Sequence, residues 1–326
     1  MQRLDRFMEA ANAHYYAAGD PFREFATAPE ISQVFGEIVG LWAATVWEGL
    51  GRPDPVRLVE LGPGRGTLMA DALRAAAKVA APFRAALRLH LVETSPALRA
   101  AQAALLPDAA WHERFEEVPP GPILLLANEF LDALPIRQFV RRAEGWTERF
   151  VGTGGRFVER PAAAPAGAPA DSVGTVIEVC EPALWLASLV GARLRASPGA
   201  ALFIDYGPAA SAAGESLQAL RGGRPADPLA DPGSADLSAH VDFQSFALAA
   251  QAAGAVISGP VPQGIFLTRL GLFQRLDRLA RGRGPAEAAA LLAAGRRLAE
   301  PDGMGRLFKA LGLASPDGPQ LPGFSL

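Results

Sequence analysis

The sequence predicts an α/β protein built on a doubly wound parallel sheet, and two observations support this prediction. Short apolar runs at 56–61, 87–93 and 122–128 each have the length of a buried strand. Helical spacing returns after the first run, and glycines stand between the strand and the helix, as where a parallel strand feeds a helix. Because uninterrupted apolar runs are typical of strands covered on both faces, we expect helices on both sides of the sheet.

The glycine turn after the first run indicates a ligand site. Gly62, Gly64 and Gly66 form the turn, and Glu60 precedes it. A dinucleotide fingerprint would place its third glycine one position later, where this chain has Thr67. A carboxylate beside the turn favours a cationic ligand such as S-adenosylmethionine over a pyrophosphate, because opposite charges attract strongly at short range. A plain tight turn in a doubly wound fold is the alternative.

Two more polar residues end predicted strands. Glu93 ends the second run, about where doubly wound folds place a carboxylate on ribose hydroxyls, although it could instead be a solvated strand end or cap the helix that begins near Ser95. Asn128 ends the third run. Because ligands bind at the carboxyl ends of parallel strands where the strand order reverses, we expect the Glu60 and Asn128 strands to be neighbours that face one ligand.

Composition excludes several classes of function. The net charge of -3 argues against broad nucleic-acid binding, which needs a basic face. Cys180 is the only cysteine and the four histidines are scattered, so we predict no metal site. No apolar run reaches the roughly 18 residues that a membrane span needs, and the N-terminus lacks a signal peptide. We therefore expect no membrane span and a cytoplasmic location in a bacterium, or the mitochondrial matrix in a eukaryote.

Three regions are predicted along the 326 residues. These are an N-terminal helical lid at 1–50, a core at 51–271 with an insertion around 136–172, and a helical C-terminal extension at 272–326. Within them, we expect a hairpin after Ile136, a mobile Ala/Pro-rich loop at 161–171, strands at 201–207 and 262–271, and a helical tail at 272–313.

The segment 27–42 carries helix signals of its own. Thr27 and Glu30 are spaced as a capping box. Gly36 and Gly40 share a polar face with Glu37, and each glycine costs a helix about 1 kcal/mol relative to alanine. We therefore expect a substrate or another helix to approach this face closely, with an ordinary solvated face as the alternative.

Seven stretches, in order, resemble the MidA family from about residue 6 to residue 310: FATAPEISQVFGEIVGLW, VELGPGRGTLMADALR, LVETSPALRAAQ, ANEFLDALPIRQF, LFIDYG, DLSAHVDF and PDGMGRLFKAL. The resemblance implies a Rossmann-like class I methyltransferase that uses S-adenosylmethionine and releases S-adenosylhomocysteine. The mitochondrial members of that family are assembly factors for respiratory complex I, associated with symmetric dimethylation of an arginine in its quinone-site subunit. This chain departs from the family at 23–25, where relatives have a G-D-F stretch, and at Leu131, where they have a second aromatic residue.

The resemblance and the strand ends together indicate which residues form the site. We expect Glu60, Gly62, Gly64, Gly66, Glu93 and Asn128 to bind the cofactor. Because carboxylates can grip a guanidinium and take its proton, Glu129 is the first candidate for catalysis, with Asp132 and Glu37 next. Asp132 could instead cap a helix, and Glu37 could lie on a solvated helix face. Substrate contacts are expected from Glu30, Ser32, Gln33, Asp205, Tyr206, His240 and Asp242, although a structural histidine and a helix cap are the alternatives for the last two.

Three functions remain open from the sequence. The first is a protein arginine methyltransferase whose substrate is a protein such as a complex I subunit. The second is a methyltransferase of a small molecule or another protein, because one fold hosts many chemistries. The third is a non-catalytic assembly module that keeps the glycine turn for stability. The sequence does not indicate the oligomeric state.

Overall fold

The computed structural model describes residues 1–17, 27–168 and 172–325. The strands in these ranges are β1 (Gln2–Arg3), β2 (Val56–Leu61), β3 (Leu87–Val92), β4 (Ala110–His112), β5 (Ile123–Asn128), β6 (Arg137–Arg142), β7 (Gly145–Val151), β8 (Phe157–Ala162), β9 (Val176–Val179), β10 (Gly199–Tyr206), β11 (Gln218–Arg221), β12 (Arg224–Ala226), β13 (Asp236–Ser238), β14 (Val256–Pro262) and β15 (Phe308–Ala314). The helices are α1 (Leu4–Ala17), α2 (Ala28–Ile31), α3 (Gln33–Gly49), α4 (Thr67–Val79), α5 (Ala81–Ala86), α6 (Pro96–Leu105), α7 (Glu181–Ala196), α8 (Phe243–Ala252), α9 (Gln263–Arg269), α10 (Leu272–Ala280), α11 (Pro285–Ala299) and α12 (Met304–Leu307).

A seven-stranded sheet in the order β14-β15-β10-β5-β2-β3-β4 forms the centre of the fold. Strands β4, β3, β2, β5 and β10 are parallel, and β15 runs antiparallel between β10 and β14. The strand order reverses between β2 and β5, so these two strands are neighbours, as predicted. This is the doubly wound arrangement that the sequence indicates, and its crevice lies at the carboxyl ends of β2 and β5.

Strand β5 shows why the apolar runs form buried strands. Leu124 and Leu126 pack into one core with residues of α3 and α4, whereas Leu125 and Ala127 pack into the core on the opposite face with α7 and α8. Successive side chains of a strand point to opposite faces, so a strand covered on both sides needs apolar residues at every position. The prediction of helices on both faces is therefore confirmed.

The segment 262–271, predicted as a strand, is instead mostly helix α9, and the preceding segment forms strand β14. Within α9 the side chains of Gln263, Phe266 and Leu267 are buried and those of Ile265 and Thr268 are exposed. This spacing follows the helical period and not the two-residue period of a strand. The strand prediction for this segment is wrong because a short apolar run fits both periods.

The tail from 272 is helical only as far as Leu307. The predicted helix does not continue to Leu313, because Phe308–Ala314 forms strand β15 and pairs with β10 from Ala200↔Ala314 to Tyr206↔Phe308. Ala310, Leu311 and Leu313 of this strand are fully buried. A run that is buried on both faces has no alternation to distinguish a strand from a buried helix.

The insertion forms a second sheet beside the core. The predicted hairpin is confirmed as β6 and β7, which join β1, β8 and β9 in a five-stranded sheet. Strand β8 includes Pro161 and Ala162, so the Ala/Pro-rich stretch begins as a strand and not as a loop. Its last residues, 169–171, lie outside the described residues. Helix α1 packs Leu4 and Met8 against this sheet and against the small β12-β11-β13 sheet.

The predicted capping box is wrong. Thr27 precedes α2 without a capping bond from its side chain, and the side chain of Glu30 instead accepts a hydrogen bond from Thr67 Oγ1 at 2.5 Å. Ser32 interrupts the predicted single helix in an extended conformation, and its Oγ caps α3 by accepting from Val34 N at 3.3 Å. The local serine therefore starts the long helix, and the glutamate is engaged by a neighbouring element.

Another helix, and not a substrate, approaches the glycine face of α3. A Cβ added at Gly36 would lie 2.6 Å from Asp71 Cβ, and one at Gly40 would lie 2.6 Å from Ala72 Cα. Both neighbours belong to α4, the helix that follows the glycine turn. The two glycines therefore allow α3 and α4 to pack with their backbones close together.

Replacing Gly40 with alanine tests this contact. On an open helix face the change would stabilise the protein by about 1 kcal/mol through helix propensity. Because the methyl group would meet the backbone of α4, we expect instead a net loss of about 1–3 kcal/mol in the free energy of unfolding, measured by urea denaturation. Gly214→Ala is the control, since a Cβ there meets nothing within 4 Å. A stabilised Gly40→Ala variant would contradict the packing described.

Candidate active site

A cavity of about 860 Å³ opens at the carboxyl ends of the central strands. The turn after β2 contributes Gly62 and Gly64, and the residue after β3 contributes Glu93. Glu129 follows β5, and Tyr206 ends β10. The cavity thus lies where the strand order reverses, and it gathers residues from four neighbouring strands.

The glycine turn has the conformation and the tight space that glycine permits. Gly62 has φ +60° and Gly64 has φ +54°, values that residues with a Cβ rarely adopt. A Cβ on Gly62 would also lie 2.7 Å from the Phe130 ring. Gly66 stands just before α4, and its N–H donates to Pro63 O at 2.7 Å. The backbone of Gly62 and Gly64 therefore reaches the cavity wall directly.

Glu93 is tied to both the glycine turn and helix α6. Its Oε1 accepts from Ser95 N at 2.8 Å, and Ser95 Oγ in turn caps α6. Gln102 Nε2 donates to Gly64 O at 2.7 Å and to Glu93 Oε2 at 3.3 Å. Burial raises the pKa of Glu93, while these hydrogen bonds act in the opposite direction. Gln102, which was not predicted from the sequence, fixes the spacing between the two cofactor candidates.

Two buried oxygens at the ends of β2 and β5 have no hydrogen-bond partner among the described residues. They are Glu60 Oε2 and Asn128 Oδ1. Glu60 is 3% exposed, and burial raises its pKa to about 8. Leaving a buried acceptor unpaired is costly, so such oxygens call for a donor from outside the chain. An ammonium group fits this requirement, because it donates hydrogen bonds and carries the opposite charge to an ionised carboxylate.

Glu129 is held in an unusual conformation at the cavity wall. Its φ of +50° lies in the left-handed region, and its N–H donates to Ile204 O of β10 at 2.9 Å. Its Oε1 accepts from Ala28 N at 2.8 Å and from Asn128 Nδ2 at 3.1 Å. Burial raises the pKa of Glu129 to about 7. The short helix α2 therefore begins directly on this carboxylate.

Asp205 supports the site without lining it. Its Oδ2 accepts from the N–H groups of Phe130, Leu131 and Asp132 at 3.0, 2.8 and 3.3 Å. The residue was expected to contact the substrate, but its carboxylate instead holds the turn that carries Glu129. Burial raises the pKa of Asp205 to about 7. Leu131, which stands where relatives have an aromatic residue, is buried in the core on this side of the sheet.

Asp132 lines the cavity beside Tyr206, with which it shares a side-chain hydrogen bond. Burial, together with the charges of Asp205 and Asp236, raises the pKa of Asp132 well above its usual range. Tyr206 also accepts from Gln218 Nε2 at 3.0 Å. The cavity therefore brings together two predicted catalytic residues and one predicted substrate residue.

The structure does not bring Glu37 to the cavity. Its carboxylate is paired with Arg275 Nε at 2.8 Å and Arg74 Nη2 at 3.6 Å. Gln33 lies near the same arginine, with its Oε1 3.5 Å from Arg74 Nη2. Ser32 caps α3, as described above. Glu37 therefore joins α3, α4 and α10 by ion pairs, and its position contradicts a direct catalytic role.

Glu30 also lies outside the cavity wall. Besides Thr67, it faces Arg65, whose Nη1 lies 3.6 Å from Glu30 Oε2. These contacts tie α2 to the glycine turn. The departing stretch at 23–25, which precedes α2, lies outside the described residues.

His240 and Asp242 line a second cavity, of about 1050 Å³, on the other side of this wall. Asp242 caps α8 by accepting from Ser245 N at 3.0 Å, and it also accepts from Ser211 Oγ. The exposed His240 packs its ring edge-on to Tyr206, with ring centroids 5.7 Å apart. The helix-cap alternative therefore describes Asp242, and neither residue lines the first cavity.

The cavity residues that were missed from the sequence include Asn12, Tyr16 and Asp236. Tyr16 and Asn12 come from α1, and Asp236 opens β13. Asp236 belongs to the DLSAHVDF stretch from which His240 and Asp242 were chosen, so a signal was present for it. Tyr16 and Asn12 belong to no motif, and only the packing of α1 brings them to the site.

The charge on the cavity wall has one sign. Its ionisable side chains include five carboxyl groups, and no lysine, arginine or histidine is found among the described lining residues. The five are Glu9, Glu93, Glu129, Asp132 and Asp236. Aromatic rings of Tyr16, Phe130, Tyr206 and Phe308 complete the wall. Carboxylates and aromatic faces both attract cations, so the cavity suits cationic ligands and disfavours phosphates.

No group of three or more potential metal-binding side chains occurs in the described part of the chain.

Among the described residues, no helix has both the length and the apolar character that a membrane crossing requires.

Comparisons with known proteins agree with this site. Residues 38–261 match the family described as "Putative S-adenosyl-L-methionine-dependent methyltransferase". The mouse protein named protein arginine methyltransferase NDUFAF7, mitochondrial, is 36% identical over 90% of this chain and 76% of its own length. The Drosophila melanogaster protein named protein arginine methyltransferase NDUFAF7 homolog, mitochondrial, is 34% identical over 92% of this chain and 78% of its own length.

A solved structure has the same architecture. The crystal structure of a Burkholderia thailandensis protein bound to S-adenosyl-homocysteine superposes with a TM-score of 0.82 at 28% identity, covering 98% of this chain and 89% of that one. The fold and the cofactor class predicted from the sequence are thereby confirmed. The chain belongs to the family of S-adenosyl-L-methionine-dependent methyltransferases that includes the NDUFAF7 proteins.

Proposed function

We propose that this methyltransferase modifies an arginine side chain of a protein substrate. The observation that carries the proposal is the wall of five carboxyl groups without a basic side chain among the described lining residues. A guanidinium is effectively always protonated and presents five N–H donors in a planar fork that matches carboxylates. The relatives named protein arginine methyltransferases, cited above, support the same acceptor.

The cofactor position follows from the residues that fit it. We propose that the cofactor binds against the backbone of Gly62 and Gly64. Glu60 and Asn128 would accept hydrogen bonds from its ammonium group, and Glu93 would accept hydrogen bonds from its ribose hydroxyls. When bound, S-adenosylmethionine supplies an activated methyl group on a sulfonium. The chain then has mainly to align the acceptor nitrogen and exclude water.

Glu129 is the proposed proton acceptor. A guanidinium nitrogen has little free electron density, so a carboxylate that grips the other N–H groups and takes a proton favours attack by that nitrogen. A base works best when its pKa lies near the working pH, and burial raises the pKa of Glu129 to about 7. Asp132, in the same turn as Glu129, is proposed to hold the guanidinium with it. Because Glu37 is engaged by two arginines away from the cavity, it has no role in this proposal.

The resemblance to the MidA family narrows the acceptor further. We propose that the substrate is an arginine of a respiratory complex I subunit, the quinone-site subunit being the first candidate. The proposal places the protein in the cytoplasm of a bacterium, or in the mitochondrial matrix of a eukaryote.

The charge of Glu129 can be removed without changing its shape. We expect Glu129→Gln to lower kcat for arginine methylation by about 10²–10⁴-fold, because the amide cannot accept the proton. The measurement is transfer of labelled methyl groups to a purified acceptor subunit, with methylarginine identified by mass spectrometry. Glu37→Gln is the matched control, since it changes another buried glutamate outside the cavity and should retain kcat. Equal losses in both variants, with both proteins folded, would contradict the assignment.

Cofactor binding tests the residues at the strand ends. Calorimetry should detect S-adenosylmethionine and S-adenosylhomocysteine but not NAD, because the wall would repel a pyrophosphate. We expect Glu60→Gln and Glu93→Ala to weaken both cofactors by roughly tenfold to a hundredfold, as for hydrogen bonds to charged groups. Tight NAD binding, or normal cofactor binding by both variants, would refute the proposed arrangement.

Cofactor affinity should also depend on pH. The free protein keeps the Glu60 proton up to about pH 8, whereas a bound ammonium favours the ionised carboxylate. Binding below that pH therefore releases a proton, so affinity should rise with pH by up to about tenfold per unit up to about pH 8 and fall again at higher pH, where the cofactor ammonium itself loses its proton. Calorimetry in buffers of different ionisation enthalpy measures the released proton. A profile that is equally steep in Glu60→Gln would show that another group titrates.

A further inference from the structure

The N-terminal helix α1 forms part of the cavity wall. Asn12 ties α1 to β13, because its Oδ1 accepts from Leu237 N at 3.0 Å and its Nδ2 donates to Leu237 O at 2.8 Å. Asn12 Nδ2 also donates to Ala133 O, at 3.1 Å, in the turn that follows Asp132. One buried side chain therefore fixes three segments around this part of the cavity.

Tyr16 lies in the last turn of α1 and contacts two parts of the cavity, one at Asp236 and the other beside Glu93. Its hydroxyl donates to Asp236 Oδ1 at 2.8 Å. Its backbone oxygen accepts from Ser95 Oγ at 3.2 Å, beside Glu93. The residue thus links the end of the cavity that carries Glu93 to the end that carries Asp236.

Asp132 and Asp236 face the same part of the cavity from different elements. Asn12 Nδ2 donates to both Ala133 O and Leu237 O, the residues that follow Asp132 and Asp236, so the two aspartates lie in the same part of the cavity. Each is bonded to a tyrosine hydroxyl, Asp132 to Tyr206 and Asp236 to Tyr16. The two tyrosine hydroxyls hold the two carboxyl groups at set positions on the cavity wall.

We propose that Tyr16 and Asp236 select arginine over lysine at the acceptor end of this cavity, Asp236 by contacting the guanidinium and Tyr16 by positioning Asp236. This inference rests on the proposed function. A planar guanidinium has donors along two edges and can bridge Asp132 and Asp236 at once. A lysine ammonium is a compact, strongly hydrated point charge without this planar fork, so it gains less from the pair.

Binding to the protein saturated with S-adenosylhomocysteine tests the selection without turnover. The probes are Nα-acetyl-arginine N-methylamide and its lysine counterpart, titrated by nuclear magnetic resonance. We expect the native protein to prefer the arginine probe, and Asp236→Asn to weaken its binding by roughly tenfold or more and to remove the preference. Asp277→Asn, which alters an exposed aspartate paired with Arg281 on α10, is the control and should leave both affinities unchanged. An unchanged preference in Asp236→Asn would overturn the proposal.

Tyr16→Phe keeps the ring and removes only the hydroxyl, so it decides the question if Asp236→Asn does not fold. It should lower arginine binding and leave the Kd of S-adenosylhomocysteine unchanged. In turnover with the acceptor subunit, it should raise KM for the arginine substrate more than it lowers kcat. A fall in kcat at unchanged KM would overturn the positioning role.

Product analysis of the native protein separates the two proposals. If methylarginine forms but both variants keep the arginine preference, the selection by Tyr16 and Asp236 fails and the proposed function stands. If the native protein forms no methylarginine on the acceptor subunit, the proposed function fails, and this inference fails with it.

Discussion

The carboxylate of Asp205 is the contact on which the rest of the site depends. One oxygen receives three consecutive backbone N–H groups from the turn after β5, and the other receives Tyr206 N at 2.9 Å. This arrangement fixes Glu129 and Asp132 relative to the end of β10. Because the strand order reverses beside β5, the same turn faces the glycine turn across the cavity.

The second constraint is that acidic side chains at the site are buried, without basic side chains beside them on the described cavity wall. Burial raises the pKa of Glu60 to about 8 and of Glu129 to about 7, so both resist ionisation until a cation arrives. In our account, that cation is the cofactor ammonium at Glu60 and the substrate guanidinium at Glu129. Glu129 lines the cavity, whereas Glu60 is buried at the end of β2 and is not among the lining residues. In such poorly solvated places the attraction of a carboxylate for a positive ligand is stronger than in water.

The sequence predicts the parts of this site that lie at strand ends. Glu60, Glu93 and Asn128 each close an apolar run, and in a parallel sheet such ends share one edge, so local patterns suffice to find them. Strand β15 was missed because a run buried on both faces carries no period. Asn12 and Leu237, the neighbour of Asp236, come together across 225 positions in the sequence, and no local pattern encodes that contact. Glu37 was taken as a catalytic candidate for the same reason, because its ion-pair partner Arg275 lies 238 positions away and no local pattern indicates that contact.

A crystal structure of the protein with S-adenosylhomocysteine and an arginine-containing acceptor peptide tests the central claim most directly. Our account predicts the cofactor ammonium at Glu60 and Asn128 and its ribose at Glu93. It places the guanidinium between Glu129, Asp132 and Asp236. A cofactor outside this cavity, or an arginine held by other residues, would contradict the claim that one anionic cavity binds both cations.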